Sequence, residues 1–424
     1  MINNFKREKC IACNTKLSED LVYIGEQYPS AVFTKDKDYR SKIQASSLNL
    51  AKCLNDSCGL VQLAYEYNLD YVYENYPYLS GSTATMTRIL ADVVSEVEGL
   101  SNVEESDVVL DIGGNDGTLL NLFSKSVKYR VNIDAAHGIV SVLNDSNYVR
   151  IQEKFTSNVY IGLNLPLPKV IFSVAMFYQL NDPLSFCNQV KEIMNDDTIW
   201  CIQMTYLGSM LESNIYDNIV HEHVAYYSLK SLEYLMNRAG LTICGAKIVD
   251  SYGGSLRVYI MKKSGKYPDT DLFNNVQVIR NYEYENNINT SEILVRFNER
   301  INIIKEFTKE LLYHIVDKDG KVHAFGASTK GNMICQFVGV NHKHIEYVLD
   351  NNFKKIGLIM TGTDIPIVDE KEFLPNLAKY ILILPYYYTD HFKSVIERNV
   401  KKGDEKYLII PLPKPHIIKL SGTL

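Results

Sequence analysis

The sequence predicts an α/β protein with two nucleotide-fold-like units in series behind a short segment pinned by cysteines. Three observations carry this reading. Residues 108–120 run Val-Val-Leu-Asp-Ile-Gly-Gly-Asn-Asp-Gly-Thr-Leu-Leu, which is an apolar strand, a glycine turn and the start of a helix. Apolar runs and amphipathic stretches then alternate, and the strand-turn-helix pattern returns near residue 322. Ahead of both, Cys10, Cys13, Cys53 and Cys58 form C-x2-C and C-x4-C knuckles. The boundaries that follow are 1–80, 81–265 and 266–424.

The N-terminal segment reads as short strands and turns around its thiols. Paired thiolates at this spacing suit a tetrahedral structural zinc site. Disulfides and metal-free thiols are the alternatives, and an intracellular chain of enzyme size disfavours disulfides. Cys187, Cys201, Cys244 and Cys335 sit in apolar contexts and read as core. The stretch 73–83, with Tyr76 and Tyr78, is too aromatic for a plain linker. From Ala84 to Leu100, Met86, Ile89, Leu90, Val93, Val94 and Val97 recur at helical spacing.

Strands are expected at 107–112, 129–133, 169–174, 198–203, 242–248 and 256–262. Helices are expected at 117–124, 182–194 and 229–239. The alternation predicts a parallel sheet covered on both faces. A long helix over about 288–314 follows. The second unit then opens with a strand at 322–327, a Ser328-Thr-Lys-Gly turn and a helix from Met333, followed by strands at 345–349 and 380–384.

The glycine turn is a nucleoside-ligand site by its chemistry. Glycines permit positive φ and close backbone approach, and the following helix start offers free N–H groups. A dinucleotide fingerprint needs G-x-G-x-x-G, and Gly113, Gly114 and Gly117 do not keep that spacing. Asp111, Gly113 and Gly117 instead fit the D-x-G-x-G-x-G turn of class I methyltransferases, with Asn115 at the middle glycine. Asp134, ending the next strand, is then the acid for two ribose hydroxyls. Gly114 and Asp116 complete this candidate cofactor turn.

A second candidate is Tyr216-Asp-Asn-Ile-Val-His-Glu-His-Val, just beyond the strand near 198–203. Active residues of open α/β sheets gather at such carboxyl ends. Histidine is a natural base near neutral pH, and a carboxylate neighbour can orient it. A metal-binding H-x-H and a structural turn are the alternatives. Lys330 is a plausible anion contact at a helix start. Asp350 is a second end-of-strand acid.

Composition narrows the class. The chain has 424 residues, a net charge of −6 and no basic block. That argues against a nucleic-acid surface. No run of eighteen apolar residues and no signal-peptide start are present, so no membrane span and a cytoplasmic location are expected. A small-molecule partner and a monomer or weak dimer are expected.

In series, the cysteine knuckles, the Y-x-Y-x-S-x-S loop, D-I-G-x-N-D-G-T-L, H-E-H, G-G-S-L-R and G-A-x-x-K-G resemble the three-domain sugar C-methyltransferases acting on nucleotide-linked keto-deoxysugars. The resemblance implies a zinc-binding N-terminal segment, a central class I methyltransferase Rossmann-like domain holding S-adenosyl-L-methionine, and a second Rossmann-like domain that helps hold the nucleotide sugar. By position it implies zinc on Cys10, Cys13, Cys53 and Cys58, and the cofactor around Asp111, Gly113, Asn115 and Asp134. Phe155 and Ala175 are candidate further cofactor contacts. It implies Glu222 and His223 as the catalytic pair, with His221 nearby and Tyr78 or Tyr76 as the loop tyrosine. Tyr178 and Tyr206 join Lys330 and Asp350 as candidate substrate contacts.

Two positions depart from the family pattern. Val220 stands where a tyrosine precedes the glutamate, and no histidine occupies the stretch around Tyr178 and Gln179. Both missing groups handle the proton and the enolate. Their loss weighs against carbon methylation more than against methyl transfer. The resemblance still implies carbon methylation through an enolate, with oxygen methylation by the same pair, or binding of the methyl donor without turnover, as alternatives.

Overall fold

The computed structural model describes residues 5–67, 79–265, 271–399 and 404–421. Seven strands build the central sheet: Val108–Ile112 (β1), Tyr129–Ile133 (β2), Tyr148–Ile151 (β3), Val170–Val174 (β4), Ile199–Thr205 (β5), Leu241–Val249 (β6) and Ser255–Lys262 (β7). Their order is β3-β2-β1-β4-β5-β7-β6. Every β1 residue is buried, because helices cover both faces. Val108, Leu110 and Ile112 point to one face, where helices Pro183–Glu192 and Leu229–Ala239 pack. Val109 points to the other, against the helix Ala84–Leu100.

The expected all-parallel sheet needs one correction. β1 to β5 pair in parallel, but β7 runs antiparallel to both β5 and β6. Only residues 250–254 separate β6 from β7. A parallel crossover needs a dozen residues or more, so this pair must be a hairpin. β3 was not expected from the sequence; its four residues are all half-buried at the sheet edge and alternate poorly.

The long helix expected over 288–314 is Ser291–Asp319, and a helix that the sequence did not predict, Leu272–Glu285, precedes it. Asn287, at φ 54°, turns the chain out of helix, and the Thr290 side chain caps the next helix by accepting from Ile293 N. The second helix lays Leu294, Phe297, Ile301, Leu312 and Ile315 against the C-terminal sheet. That sheet comprises Val322–Phe325 (β8), Ile345–Asp350 (β9), Ile367–Asp369 (β10), Tyr380–Ile383 (β11), Glu405–Ile410 (β12) and His416–Ser421 (β13). The order is β10-β9-β8-β11-β12-β13, parallel except for β13.

The N-terminal segment clamps both sheets' units together. Its strand Val61–Leu63 pairs with Ala225–Tyr226 of the central unit. Its Phe33–Thr34 pairs with Ile359–Met360 of the C-terminal unit. Asn332 Nδ2 donates to Ser30 O at 3.2 Å, and Thr361 Oγ1 donates to Pro29 O at 2.8 Å. Among the described residues, no helix is long and apolar enough to cross a membrane.

Arg257 on β7 fastens the helix Ala84–Leu100 to the sheet. It is 1% exposed. Its Nε donates to Gln203 Oε1 at 2.7 Å, its Nη2 pairs with Asp92 at 2.6 Å, and its Nη1 pairs with Glu96. Replacing Arg257 removes the donor to buried Gln203 and the tie to Glu96, which is left with Lys247 and the Tyr259 hydroxyl. Arg257→Leu is expected to destabilise the central unit by about 3 kcal/mol, read as a lower denaturant midpoint, whereas a midpoint within error of wild type would contradict this.

Candidate functional site

A cleft of about 1140 Å³ opens where the carboxyl ends of β1, β2, β4 and β5 face the start of the C-terminal unit. The cofactor wall is built from the glycine turn. Gly113 sits at φ 76° and Gly117 at φ 81°, conformations that glycine adopts without strain. A Cβ on Gly113 would come within 3.0 Å of the Met176 side chain. A Cβ on Gly114 would lie 2.7 Å from an Asp111 carboxylate oxygen, so the turn lies flat over that acid. Asp111 is buried, and burial, reinforced by the charges of Asp134 and Asp116, pushes its pKa up to about 8.

Asp134 lines the cleft, its carboxylate accepting from Asn115 N and Ala136 N at 2.8 and 2.7 Å. Gly113, Asn115, Phe155 and Ala175 line it as well. Asp111, Gly114, Asp116 and Gly117 do not reach its surface. Asp116 is spent on the chain: Oδ2 accepts from Gly81 N at 2.9 Å and Oδ1 from the Thr118 hydroxyl at 2.6 Å. Asn115 Oδ1 accepts from Ser80 N at 3.0 Å. The end of the tyrosine-rich loop is thus tied to the glycine turn. Tyr76 and Tyr78 themselves lie outside the described residues.

Glu222 and His223 line the opposite side, below Val220 and near Gln179. His223 Nδ1 lies 2.8 Å from Asn218 O. A carbonyl only accepts, so Nδ1 carries the proton and Nε2 keeps its lone pair. The ring is oriented by this backbone bond and by the Tyr178 ring, whose centroid is 4.1 Å away. Burial, with a contribution from the positive charge of Lys330, pushes His223 down to about 3, so the imidazole is neutral. Burial pushes Glu222 up to about 7. His221 does not face the cleft. It lies behind the pair with its ring edge-on to Tyr67, centroids 4.6 Å apart, and burial holds it neutral.

Tyr178, Lys330 and Asp350 all line the cleft. Tyr206 does not: it is fully buried, and its hydroxyl donates to Glu283 at 2.9 Å. Glu283 in turn accepts from Lys230 N at the start of the helix Leu229–Ala239. Sequence reasoning missed Asp217, Tyr252, Tyr387 and Tyr388. Asp217 is fully buried and accepts from the Tyr386 hydroxyl at 3.0 Å and the Tyr387 hydroxyl at 3.3 Å. The available signals were the Pro-Tyr-Tyr-Tyr run directly beyond β11 and the two glycines after Tyr252.

Residues 83–244 match the family described as methyltransferase domain, and residues 250–413 match the family described as C-methyltransferase C-terminal domain. The chain is 26% identical over 422 residues to the C-methyltransferase NovU of Streptomyces niveus, covering 98% of both chains. The chain is thus similar to a C-methyltransferase over nearly its whole length. It is an S-adenosylmethionine-dependent methyltransferase. Among solved structures, the calicheamicin-biosynthesis methyltransferase CalO1 in its SAH-bound form is similar at 12% identity, over 42% of this chain and 55% of that one, with a TM-score of 0.32. The mitomycin 7-O-methyltransferase MmcR is similar at 12% identity, over 41% and 54%, with a TM-score of 0.30.

The cleft of this methyltransferase suits the methyl donor. Flat glycine backbone, an acid at the end of β2 and the apolar walls of Phe155, Ala135 and Ala136 offer a nucleoside what it needs: close approach, ribose hydroxyl acceptors and a stacking surface.

Glu222 makes the pH response specific. The folded chain holds its proton to about pH 7, while an unfolded glutamate releases it near 4.5. The folded state therefore binds more protons in that window, and stability falls as pH rises through it, by about 3 kcal/mol in all. Glu222→Gln is expected to flatten this slope between pH 4.5 and 7 in denaturant titrations. An unchanged slope would remove Glu222 as its source.

Proposed function

We propose that this methyltransferase acts on a nucleotide-linked keto-deoxysugar and methylates carbon through an enolate, with His223 as the base. The observation that carries the reading is the fixed tautomer of His223. Its protonated Nδ1 is held by Asn218 O, which leaves a basic Nε2 in a cleft shared by the cofactor wall and the C-terminal unit. His223 takes the proton from the carbon beside the keto group. Glu222, the preceding residue, lines the same cleft and is ionised above about pH 7, and its assigned part is to favour the imidazolium that forms. Gly113, Asn115, Asp134, Phe155 and Ala175 hold S-adenosylmethionine, which supplies an electrophilic methyl group. The far wall, with Lys330, Asp350 and Tyr178, faces the sugar nucleotide. The loop tyrosines, Tyr78 first, are proposed to assist at the keto oxygen, and the chain divides at 1–80, 81–265 and 266–424.

Oxygen methylation is the second reading, favoured by one observation. Val220 and Gln179 line the cleft at the positions where the family carries its proton-handling tyrosine and histidine. His223 could equally deprotonate a hydroxyl. A screen of keto-deoxysugar nucleotides with S-adenosylmethionine separates the readings by the position of the new methyl group. His223→Asn is expected to lower kcat by about 100-fold or more with donor binding intact. Turnover at the wild-type rate would show that another group is the base.

We further propose that Cys10, Cys13, Cys53 and Cys58 hold one structural zinc ion. Their sulfurs lie within 4.8 Å of one another, with pairs at 3.8 and 3.4 Å. A tetrahedral site with Zn–S bonds near 2.3 Å needs sulfurs about 3.8 Å apart. Ala12 N and Asn55 N point at Cys10 and Cys53 sulfurs at 3.4 Å each, which suits thiolates. Elemental analysis is expected to find about one zinc per chain, lost on Cys53→Ser. Metal-free protein with these thiols freely titratable would overturn the assignment.

A further inference from the structure

Lys330 stands out among the cleft's charged groups. Its nitrogen is shut off from solvent and has no hydrogen-bond partner among the described residues. It sits over the rings of Tyr387 and Tyr252, 4.9 and 5.4 Å from their centroids. It belongs to the first turn of the helix Thr329–Val338, so the helix dipole adds to its charge. The counter-charge is Asp217, buried three residues ahead of Val220 and held by the hydroxyls of Tyr386 and Tyr387. The ammonium is opposed by the charge of Asp217 but makes no hydrogen bond among the described residues, so it keeps donors to offer, and an anion arriving beside it is stabilised in this desolvated site.

Two anions could take that place: the diphosphate of the substrate, or the oxygen that becomes negative during reaction. Lys330 is placed for the second. The Tyr387 ring beneath it carries a hydroxyl bonded to Asp217, and the residue after Asp217, Asn218, holds the His223 ring through its carbonyl, so Lys330 stands at the base end of the cleft. The cleft offers other cations for a diphosphate, Lys354 and Lys355, on the loop after β9. Lys354 is exposed, as a group that meets an extended, solvated diphosphate should be. Near the base, the family's tyrosine and histidine are missing, and Val220 and Gln179 add no charge there.

We propose that Lys330 is the electrophilic residue that stabilises the enolate oxygen, taking over the task of the two groups this chain lacks. The inference rests on the enolate reading above. His223 Nε2 takes the proton from the carbon beside the ketone, and the C–H pair becomes the C=C bond. The C=O π pair moves to oxygen, which becomes the oxyanion facing the Lys330 ammonium. The proton stays on the imidazolium until it is returned to carbon or lost to solvent. In the absence of a methyl donor, this step exchanges the substrate's α-proton with solvent.

The test is α-proton exchange in deuterated water without methyl donor. The probe is a thymidine diphosphate 4-keto-2,6-dideoxyhexose, or whichever keto-deoxysugar nucleotide the screen above shows to be methylated. Lys330→Met is expected to slow exchange about 100-fold or more at saturating probe, the loss typical of removing one oxyanion donor. Lys330→Arg, which keeps the charge, is expected to recover part of it. Probe affinity, measured by calorimetry, should stay within a few-fold of wild type, and S-adenosylhomocysteine binding serves as the folding control. Wild-type exchange rates in Lys330→Met would overturn the role of Lys330 while leaving the enolate reading intact. A loss of probe affinity that saturation fully rescues would make Lys330 a diphosphate anchor, and would also overturn it. Absence of exchange in the wild type with a methylated probe would instead overturn the enolate reading, and this proposal with it.

Discussion

The structure turns on keeping one polar segment, residues 216–227, out of water. Asp217, His221 and Glu222 are all at most 5% exposed. Such groups are costly inside a protein unless something else holds them there. Here the holding comes from three directions. Ala225–Tyr226 is hydrogen-bonded as a strand to Val61–Gln62 of the N-terminal segment. Tyr386 and Tyr387 of the C-terminal unit reach across to Asp217. The backbone of the segment bends back so that Asn218 O takes the His223 proton. None of the three units alone could bury this stretch, which gives the chain a physical reason to be one interlocked body.

That burial is also what makes the segment chemically useful. Low local dielectric keeps both histidines neutral and holds the glutamate proton to near neutrality. A neutral imidazole with a fixed tautomer is ready to accept a proton, at the cost of being a weaker base than it would be in water. On the proposed route the imidazolium formed by proton transfer needs a negative charge, which is the part assigned to Glu222. The same dielectric argument applies to Lys330, whose ammonium is opposed by Asp217 and shut off from solvent. Base and cation gain their strength from the same exclusion of solvent.

The central sheet and its helices were legible because strong periodicity and glycine punctuation agree there. The strand Val108–Ile112, the turn with Gly113 and Gly117, and the helix Leu229–Ala239 all lie where the pattern places them. The misreadings have physical causes. The hairpin Leu241–Lys262 looks like two more parallel strands until the short turn between them is counted. The helix Leu272–Glu285 went unread because Asn274, Asn275 and Asn281, weak helix formers, interrupt its apolar residues. Tyr206 seemed a cleft residue by its place after a strand, yet a buried carboxylate 77 residues away claims its hydroxyl. Asp217 and Tyr387 were invisible because their partnership joins residues 170 apart. Local pattern carries elements; long-range pairing of polar groups does not show in it.

The glycine turn illustrates how a motif can serve two masters. Its backbone at Gly113 and the side chain of Asp134 line the cleft, where they are proposed to meet the cofactor. Its intervening side chains, Asn115 and Asp116, instead grip Ser80 and Gly81 at the end of the tyrosine-rich loop. A Cβ on Gly81 would lie 2.7 Å from the Thr118 hydroxyl, so even this contact is made at backbone range. With a glycine at position 115, as in the commoner form of the turn, Ser80 N would lose its acceptor. Asn115 adopts φ 51°, a conformation asparagine tolerates better than most residues. The substitution therefore keeps the turn's geometry while adding a tether. The loop end, the glycine turn and the helix Ala84–Leu100 that follows the loop become one mechanical unit.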